Sequence, residues 1–335
     1  MIGAFSLVVF AGLVFLLLGN DTDKRYFHNR GAVFGTYYSV TYEGERDLHD
    51  SIRRCMHEVD EALSMFNAGS VVAQLNSGAD PWLPPVFEQV FAEAQQVSEL
   101  TGGAFDITVA PLVNAWGFGF KNKQQLTDAA IDSLRSLVDY RNLRIANHHL
   151  LKAKSGIMID ASAIAKGFAC DHVAALLRRH GAENLLVDIG GEVVARGLNS
   201  SGEPWSIGIT KPIDDTTGTV QELQEVIRSS GVCMASSGNY RNFYFEDGVR
   251  RSHTIDPRTG MPVSHSLLSA TVVASSCMRA DALATACMVL GTDSALALVS
   301  RLPDTGCYLI FASPSSSDTL SVATSPGWSR LIGSH

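Results

Sequence analysis

A carboxylate and a hydroxyl lie one helical turn apart in the small and apolar segment RADALATACMVLG, residues 279–291. Asp281 and Thr285 are spaced i, i+4, so their side chains project from one face of a predicted helix. Both present oxygen, the ligand that hard cations such as Mg2+ take. The same spacing also suits an Asp favoured near a helix N-terminus and a Thr bonded back to a carbonyl. The pair alone leaves both explanations open.

A second polar group opens another predicted helix, in the segment DASAIAKG. Asp160 precedes the helix, Ser162 lies near its N-cap and Lys166 follows in the first turns. The N–H groups of a helix N-terminus and a lysine ammonium both suit an anion such as a phosphate. An ordinary capped helix is the alternative.

Three further segments place polar or flexible residues beside turns. His253 lies three residues before Asp256 in SHTIDPRTG, where it could act as a base, contact a ligand or occupy a polar turn. Asp106 lies in the apolar segment GGAFDITVAPL, where a buried carboxylate needs partners, either as a structural cap or as a ligand contact. The glycines of DIGGE, residues 188–192, either let the backbone approach a ligand or form a plain hairpin turn.

These segments belong to a chain in which helices and strands mix irregularly. Amphipathic periodicity predicts helices in DLHDSIRRCMHEVDEALSMF, PPVFEQVFAEAQQVSELTGG, DAAIDSLRSLVDY and AIAKGFACDHVAALLRRHG. Strands are predicted in GAVFGTYYSVTYEG, NLLVDIGGEVVARG, LLSATVVASS and GCYLIFAS. Because the elements follow no βαβ period, the predicted fold class is α+β. The Ser-rich end, residues 316–335, is predicted to be a loose tail.

Composition narrows the function. The 335 residues are ample for a full hydrophobic core, and the formal net charge of -8 argues against a nucleic-acid partner. The sequence contains no P-loop, no G-x-S-x-G and no G-x-G-x-x-G motif. None of the six cysteines forms a C-x-x-C pair, which indicates neither a disulfide framework nor a zinc site.

The first 20 residues form an apolar run with no charged side chain before Asp21. Its length is near that of a membrane span and also fits the core of a long signal peptide. Lys24, Arg25 and Arg30 follow the run. By the positive-inside rule alone, this charge would place the body in the cytoplasm.

Taken in order, the segments resemble the ApbE family, the FAD:protein FMN transferases. The matching segments are FGTYYSV, SMFNAGSVVAQLN, TGGAFDITVAPLVNAWGFG, IDASAIAKGFACDHVAALL, NLLVDIGGEVVARG, ASSGNY, SHTIDPRTGMPV and ADALATACMVLG. They run from about residue 33 to about residue 311. The resemblance implies one large mixed α/β body of the ApbE type over residues 30–315.

The resemblance also implies an activity. Members of the family use Mg2+ and FAD, and transfer the FMN half of FAD to a threonine of a target protein through a phosphoester bond, releasing AMP. The targets are typically flavoprotein subunits of membrane redox complexes. Two other functions stay open: a Mg2+-dependent FAD pyrophosphatase that yields FMN and AMP, and a non-catalytic flavin carrier or assembly factor.

Individual residues acquire roles from the same resemblance. Asp281 and Thr285 match side-chain metal ligands, with the backbone oxygen of Ala163 as a third. His253 is the candidate general base, with Asp256 or another nearby carboxylate as the alternative. The remaining matches are FAD contacts: Phe34, Phe66, Ala104, Phe105, Asp106, Asp160, Lys166 and Ile255. Two departures from the family pattern are Phe34, where a methionine is usual, and Glu192, where an aspartate is more usual.

Family members are usually exported and held at the outer face of the inner membrane, often as lipoproteins. We therefore expect residues 1–20 to be a signal peptide or membrane anchor, with the body on the periplasmic side of the inner membrane. Asn20 occupies the place of the lipid-bearing cysteine, so lipidation cannot occur there.

Overall fold

The structure, a computed structural model, describes residues 25–119, 126–212, 222–239, 243–246, 249–313 and 316–333. The apolar run over residues 1–20 lies outside these ranges, so its role as an anchor or signal peptide stays a prediction. None of the helices within them combines the length and hydrophobicity that a membrane crossing needs.

The strands include the predicted segments and several that the sequence did not reveal. In chain order they are β1 (Arg25–Val33), β2 (Thr36–Gly44), β3 (Leu143–Ala146), β4 (His149–Lys152), β5 (Leu185–Ile189), β6 (Glu192–Arg196), β7 (Trp205–Thr210), β8 (Leu223–Ser229), β9 (Gly231–Gly238), β10 (Phe243–Glu246), β11 (Val249–Ser252), β12 (Leu267–Ala274), β13 (Gly306–Ser313) and β14 (Ser316–Thr324).

Eight of these strands form one antiparallel sheet, in the order β1-β2-β5-β6-β9-β12-β13-β14. The others form the pairs β3–β4, β7–β8 and β10–β11. This large antiparallel sheet combined with helices confirms the predicted mixed α/β body.

The helices supply the second layer. They are α1 (His49–Leu63), α2 (Val71–Asn76), α3 (Pro85–Leu100), α4 (Ala110–Ala115), α5 (Asp128–Arg135), α6 (Ser162–Arg179), α7 (Cys277–Leu290), α8 (Thr292–Val299) and α9 (Trp328–Leu331). Helix α7 packs against α6, β9 and β12, and α6 also packs against α1. Leu283 of α7 is completely buried, and burial of such a side chain stabilises the fold by about 1.5–3 kcal/mol.

The hairpin β7–β8 covers the opposite face of the sheet. Trp205, Ile207 and Ile209 alternate with outward-facing residues and pack in a second apolar cluster with Met234 and Ile310. The sheet is therefore enclosed by helices on one face and by a hairpin on the other.

The predicted loose tail is wrong for its described part. Ser316–Thr324 is strand β14, paired along β13, and Trp328 is only 4% exposed against the ring of Tyr308. Apolar residues lie among the serines of this segment, and one of them, Leu320, packs against the second cluster. Serine content alone did not reveal the burial of this end.

Candidate active site

A cavity of about 830 Å3, here called the large cavity, gathers most of the residues singled out in the sequence. Its size is near the upper end of the range for small-molecule pockets. Among its lining residues are Thr36, Tyr37, Met65, Phe66, Ala104, Phe105, Asp106, Asp160, Ala163, Lys166, Asp188, Gly190, Gly191, Ser236, Ser237, His253, Ile255 and Thr285.

One wall is the face of α7 that carries Thr285. Ser276 caps the helix N-terminus, where its Oγ accepts the Arg279 N–H at 3.1 Å. The two oxygens of Asp171, on α6, accept the N–H groups of Cys277 and Met278 at 3.0 and 2.8 Å. Two independent caps therefore fix where α7 begins, and with it the position of Thr285.

Helices α6 and α7 approach closely at Gly167. A Cβ atom at this position would lie 2.3 Å from the Cys277 carbonyl oxygen and 2.7 Å from the Asp281 Cβ. The contact brings the Gly167 N–H to 2.9 Å from Asp281 Oδ2, to which it donates. Asp281 is 3% exposed and lies just behind the cavity wall.

The predicted third ligand lies beside this contact. In a regular helix, the N–H of Gly167 donates to the carbonyl of Ala163. Here Asp281 competes for that donor, so the Ala163 carbonyl can accept from another group. Thr285 Oγ1 lies 3.1 Å from Ser237 Oγ of β9. The three predicted metal-binding residues are thus a buried carboxylate, a hydroxyl at the wall and a carbonyl at the wall.

Lys166 and Glu192 form an ion pair between α6 and β6. The Lys166 Nζ lies 2.5 Å from Glu192 Oε1, and Glu192 is 1% exposed. Its second oxygen, Oε2, is buried and has no hydrogen-bond partner in the part of the chain that the structure describes. Burial raises the pKa of Glu192, and Lys166 opposes that rise. Burial lowers the pKa of Lys166, but Asp281 and Glu192 outweigh it and the pKa is raised, so the ammonium is charged.

These residues fit a hard cation. Asp281 and Glu192 are two buried carboxylates near Lys166, which pairs with Glu192, and Oε2 of Glu192 has no hydrogen-bond partner among the described residues. Buried charge without a partner is costly, and a divalent cation with oxygen ligands would compensate it. Within the described ranges, no group of three or more His, Cys, Asp or Glu side chains could hold a metal. The donor set here instead relies on a hydroxyl and a carbonyl.

Two aspartates at the cavity serve first to hold the backbone. Asp106 Oδ1 accepts from the N–H and hydroxyl of Thr108 at 2.8 and 2.7 Å, and Oδ2 accepts the Tyr140 N–H at 2.9 Å. Asp160 Oδ1 accepts the Ser162 N–H at 2.8 Å, which fixes the start of α6. Burial raises the pKa of both carboxyls, and these hydrogen bonds oppose it. Asp106 is therefore a structural cap that also lines the cavity.

The structure separates the two candidate bases. His253 lines the cavity, with its ring edge-to-face with Phe118 at a centroid distance of 6.3 Å. The carboxylate of Asp256 is instead engaged by the Arg258 side chain, with both oxygens at 2.9 Å from guanidinium nitrogens. Only His253 is brought to the cavity, together with the buried Ile255.

The aromatic contacts are divided as well. Phe66 lines the cavity with 73% of its surface exposed, so its ring is available to a ligand. Phe34 is not brought to this cavity. It lies at the β1–β2 turn with a φ of 52° and lines a separate cavity of about 190 Å3 with Arg53 and Met56 of α1. The turn directs Phe34 toward α1, whereas Thr36 and Tyr37 line the large cavity.

The sequence analysis missed the Tyr37–Asp188 pair. The Tyr37 hydroxyl donates to Asp188 Oδ2 at 3.2 Å, and Asp188 Oδ1 accepts the Gly191 N–H at 3.0 Å. Burial raises the pKa of Asp188. A signal was present, because Asp188 is the only charged residue in the strand that leads to the two glycines. Its tyrosine partner, 151 positions away, had no local signal.

Comparison with known proteins places this geometry in a family. The ApbE family matches residues 34–309. The FAD:protein FMN transferase of Vibrio cholerae serotype O1 is 38% identical over 87% of this chain and 89% of its own length. That of Escherichia coli strain K12 is 34% identical over 81% of this chain and 80% of its own.

Solved structures agree. The flavin transferase ApbE from Vibrio cholerae superimposes with a TM-score of 0.80 at 34% identity, covering 92% of this chain and 99% of that one. The apo form of the Pseudomonas stutzeri flavinyl transferase ApbE gives a TM-score of 0.81 at 30% identity, covering 93% and 98%.

Proposed function

The chain belongs to the ApbE family, and from this premise we propose that it is an FAD:protein FMN transferase. It transfers the FMN moiety of FAD to a threonine hydroxyl of a target flavoprotein, forms a phosphoester bond and releases AMP. The observation that carries the proposal is the convergence of Lys166, Thr285 and His253 on one large cavity, with Asp281 directly behind its wall.

The cavity supplies contacts suited to the two chemically different parts of FAD. Phe66 offers an exposed ring on which a flavin can stack. Asp160 and Lys166 are polar residues at the N-terminal end of α6, where helix N–H groups favour phosphate oxygens. Ala104 and Phe105 are buried at 1% and 3% exposure, so their contribution is mainly the shape of the wall.

We infer that Asp281, Thr285 and the carbonyl of Ala163 would hold Mg2+. When bound, the cation would offset the charge of the pyrophosphate and polarise its phosphorus. Asp281 contributes a negative charge that Gly167 keeps in place, and Thr285 contributes a hydroxyl that Ser237 orients. The two buried carboxylates near Lys166, of which Glu192 forms the ion pair, support this assignment.

The protein's own residues then manage one proton and one bond exchange. His253 accepts the proton of the acceptor threonine hydroxyl, a role that contributes roughly 10^2 to 10^4 in rate. The threonine oxygen forms a bond to the phosphorus of the FMN half. The bond from this phosphorus to the bridging oxygen breaks, and AMP leaves with the electron pair.

We also propose that the target is a subunit of a membrane redox complex and that the body lies on the periplasmic side of the inner membrane. Two points support this: the apolar run over residues 1–20 and the usual location of family members at the outer face of the inner membrane. Protease protection in spheroplasts tests the side. A body digested only after the inner membrane is broken would contradict it.

The activity is tested with the full-length chain in detergent, FAD, Mg2+ and a threonine-bearing flavoprotein subunit. The proposal predicts AMP release together with a fluorescent acceptor band on a denaturing gel, and neither with a Thr→Ala acceptor. AMP and free FMN at equal rates with both acceptors would identify a pyrophosphatase instead. Intact FAD throughout would indicate a carrier.

A further inference from the structure

Glu192 is a buried carboxylate that is neither a proposed metal ligand nor a proposed proton acceptor. It opens β6 immediately after Gly190 and Gly191 and is 1% exposed. One oxygen pairs with Lys166 Nζ at 2.5 Å, and the other has no hydrogen-bond partner within the described ranges. Keeping an ionised carboxylate so deeply buried costs several kcal/mol. A plain core position is better served by an apolar residue, so this carboxylate requires an explanation.

The explanation lies in what Lys166 would otherwise contact. Lys166 immediately precedes Gly167, whose N–H binds Asp281. Its ammonium is therefore attracted by two carboxylates, Asp281 and Glu192. Among the described residues, its ion pair is with Glu192 and not with Asp281.

We propose that Glu192 is a positioning residue that holds the Lys166 ammonium and thereby keeps Asp281 available for the divalent cation. The inference rests on the metal site of the proposed function and adds a residue to its control. An unrestrained lysine beside Asp281 would compete directly with the cation for the same carboxylate oxygen.

The charges of the three groups make the inference quantitative. With both carboxylates ionised and Lys166 charged, these three groups carry one net negative charge in the native chain. Glu192→Gln leaves none, and it releases Lys166 toward Asp281. Lys166→Met leaves two, and the double variant returns to one. The affinity for a divalent cation should follow this order.

The experiment measures binding of Mn2+, which accepts the same oxygen ligands, to the full-length chain without FAD. Electron paramagnetic resonance of unbound Mn2+ gives the dissociation constant. We expect Glu192→Gln to raise the dissociation constant for Mn2+ by about tenfold or more, and Lys166→Met to lower it. A tenfold change corresponds to the interaction free energy that shifts a pKa by about one unit. The double variant should return to within about threefold of the native value.

The matched control is Glu93→Gln. Glu93 also pairs with a positively charged side chain of α7: its Oε1 lies 2.8 Å from Nη1 of Arg279, two residues before Asp281. This pair does not involve Lys166, so we expect its loss to change Mn2+ affinity by less than about twofold, as for independent sites.

Three results would overturn the inference. If the double variant binds Mn2+ as weakly as Glu192→Gln, Glu192 acts as a ligand or through the fold, and the metal site itself still stands. If Lys166→Met does not strengthen binding, Lys166 does not compete; this arm holds even where Glu192→Gln fails to fold. If Asp281→Ala binds Mn2+ as tightly as the native chain, the metal site is refuted, and the inference with it.

Discussion

The backbone N–H of Gly167 donates to the carboxylate of Asp281 across the contact between α6 and α7, with an N···O distance of 2.9 Å. This contact exists because position 167 has no side chain, since a Cβ would lie 2.3 Å from a backbone oxygen of α7. The position of the proposed metal-binding carboxylate therefore depends on the packing of two helices.

Gly167→Ala should separate these helices and displace Asp281. Overpacking of this kind typically costs about 1–3 kcal/mol in the free energy of unfolding. We expect that loss together with an increase of about tenfold or more in the Mg2+ concentration that gives half-maximal AMP release. Gly231→Ala is the control, because no atom of the described residues lies within 4 Å of a Cβ at that position. Equal Mg2+ requirements in both variants would contradict the role of the helix contact.

Thr285 allows an isosteric test of the metal site. Thr285→Val removes the hydroxyl and keeps the shape, so it should raise the Mg2+ requirement by about tenfold, comparable with losing one charge-assisted contact. Thr285→Ser keeps the hydroxyl near Ser237 and should stay close to the native requirement. A Mg2+ titration of AMP release compares the two. Identical titrations would remove Thr285 from the set of ligands.

Substitutions of His253 and of Asp256 should have different effects on the transfer rate. His253→Gln should lower the transfer rate by roughly 10^2 to 10^4, the range of a general base, with little change in the Kd for FAD. Asp256→Asn disturbs the ion pair with Arg258 and should leave the rate within about threefold, since the carboxylate is already engaged. Single-turnover AMP release and fluorescence titration of FAD separate rate from binding. A full rate in His253→Gln would mean that another group takes the proton.

Phe66 tests the proposed flavin contact. Because the ring is 73% exposed, Phe66→Ala should leave the free energy of unfolding within about 0.5 kcal/mol of the native value. Loss of stacking should weaken FAD binding by about 1–3 kcal/mol, the range seen for base–aromatic stacking. Trp82→Ala removes an aromatic that is 56% exposed and does not line the cavity, so it should leave FAD affinity unchanged. FAD titrations in which both variants behave alike would contradict the contact.

Asp171 couples the start of α7 to pH. Burial raises its pKa to about 6, although the N–H groups of Met278 and Cys277 oppose this rise. The Asp171 carboxyl loses its proton near pH 4 in the unfolded chain and near pH 6 in the folded chain. Its contribution to the free energy of unfolding is therefore present at low pH and is lost as the pH rises from about 4 to about 6.

The native chain's advantage over Asp171→Asn in unfolding free energy should therefore fall by up to about 3 kcal/mol between pH 4 and pH 7. Urea unfolding of both proteins at the two pH values measures this difference. The asparagine variant is the reference because its residue 171 does not titrate. An advantage that grows with pH would mean that the N–H groups dominate and that Asp171 is ionised throughout.

The sequence revealed those parts of the site whose signal is local. Asp281 and Thr285 are four residues apart in one helix, and their common face followed from helix geometry. The pairing of Lys166 with Glu192 did not, because it joins a helix to a strand that the chain reaches only after a turn. Whether Asp256 faces the cavity or Arg258 was equally hidden, since both lie within one tight turn.

Strand prediction failed where polar residues interrupt the alternation. Strand β8 carries the exposed Leu223 and Val226 among charged residues, and only Ile227 and Ser229 are buried. Its position is set by pairing with β7 and not by its own pattern. Strand β14 is similar, since pairing with β13 orders a serine-rich segment that has little intrinsic strand signal.

The central claim is that the FMN half of FAD becomes bonded to a threonine of another protein. The most direct measurement is the intact mass of the acceptor subunit after incubation with the full-length chain, FAD and Mg2+, with AMP quantified in the same sample. The account predicts an acceptor heavier by one FMN esterified at its threonine, with one AMP released for each modified acceptor. AMP accumulation with an acceptor of unchanged mass would contradict it.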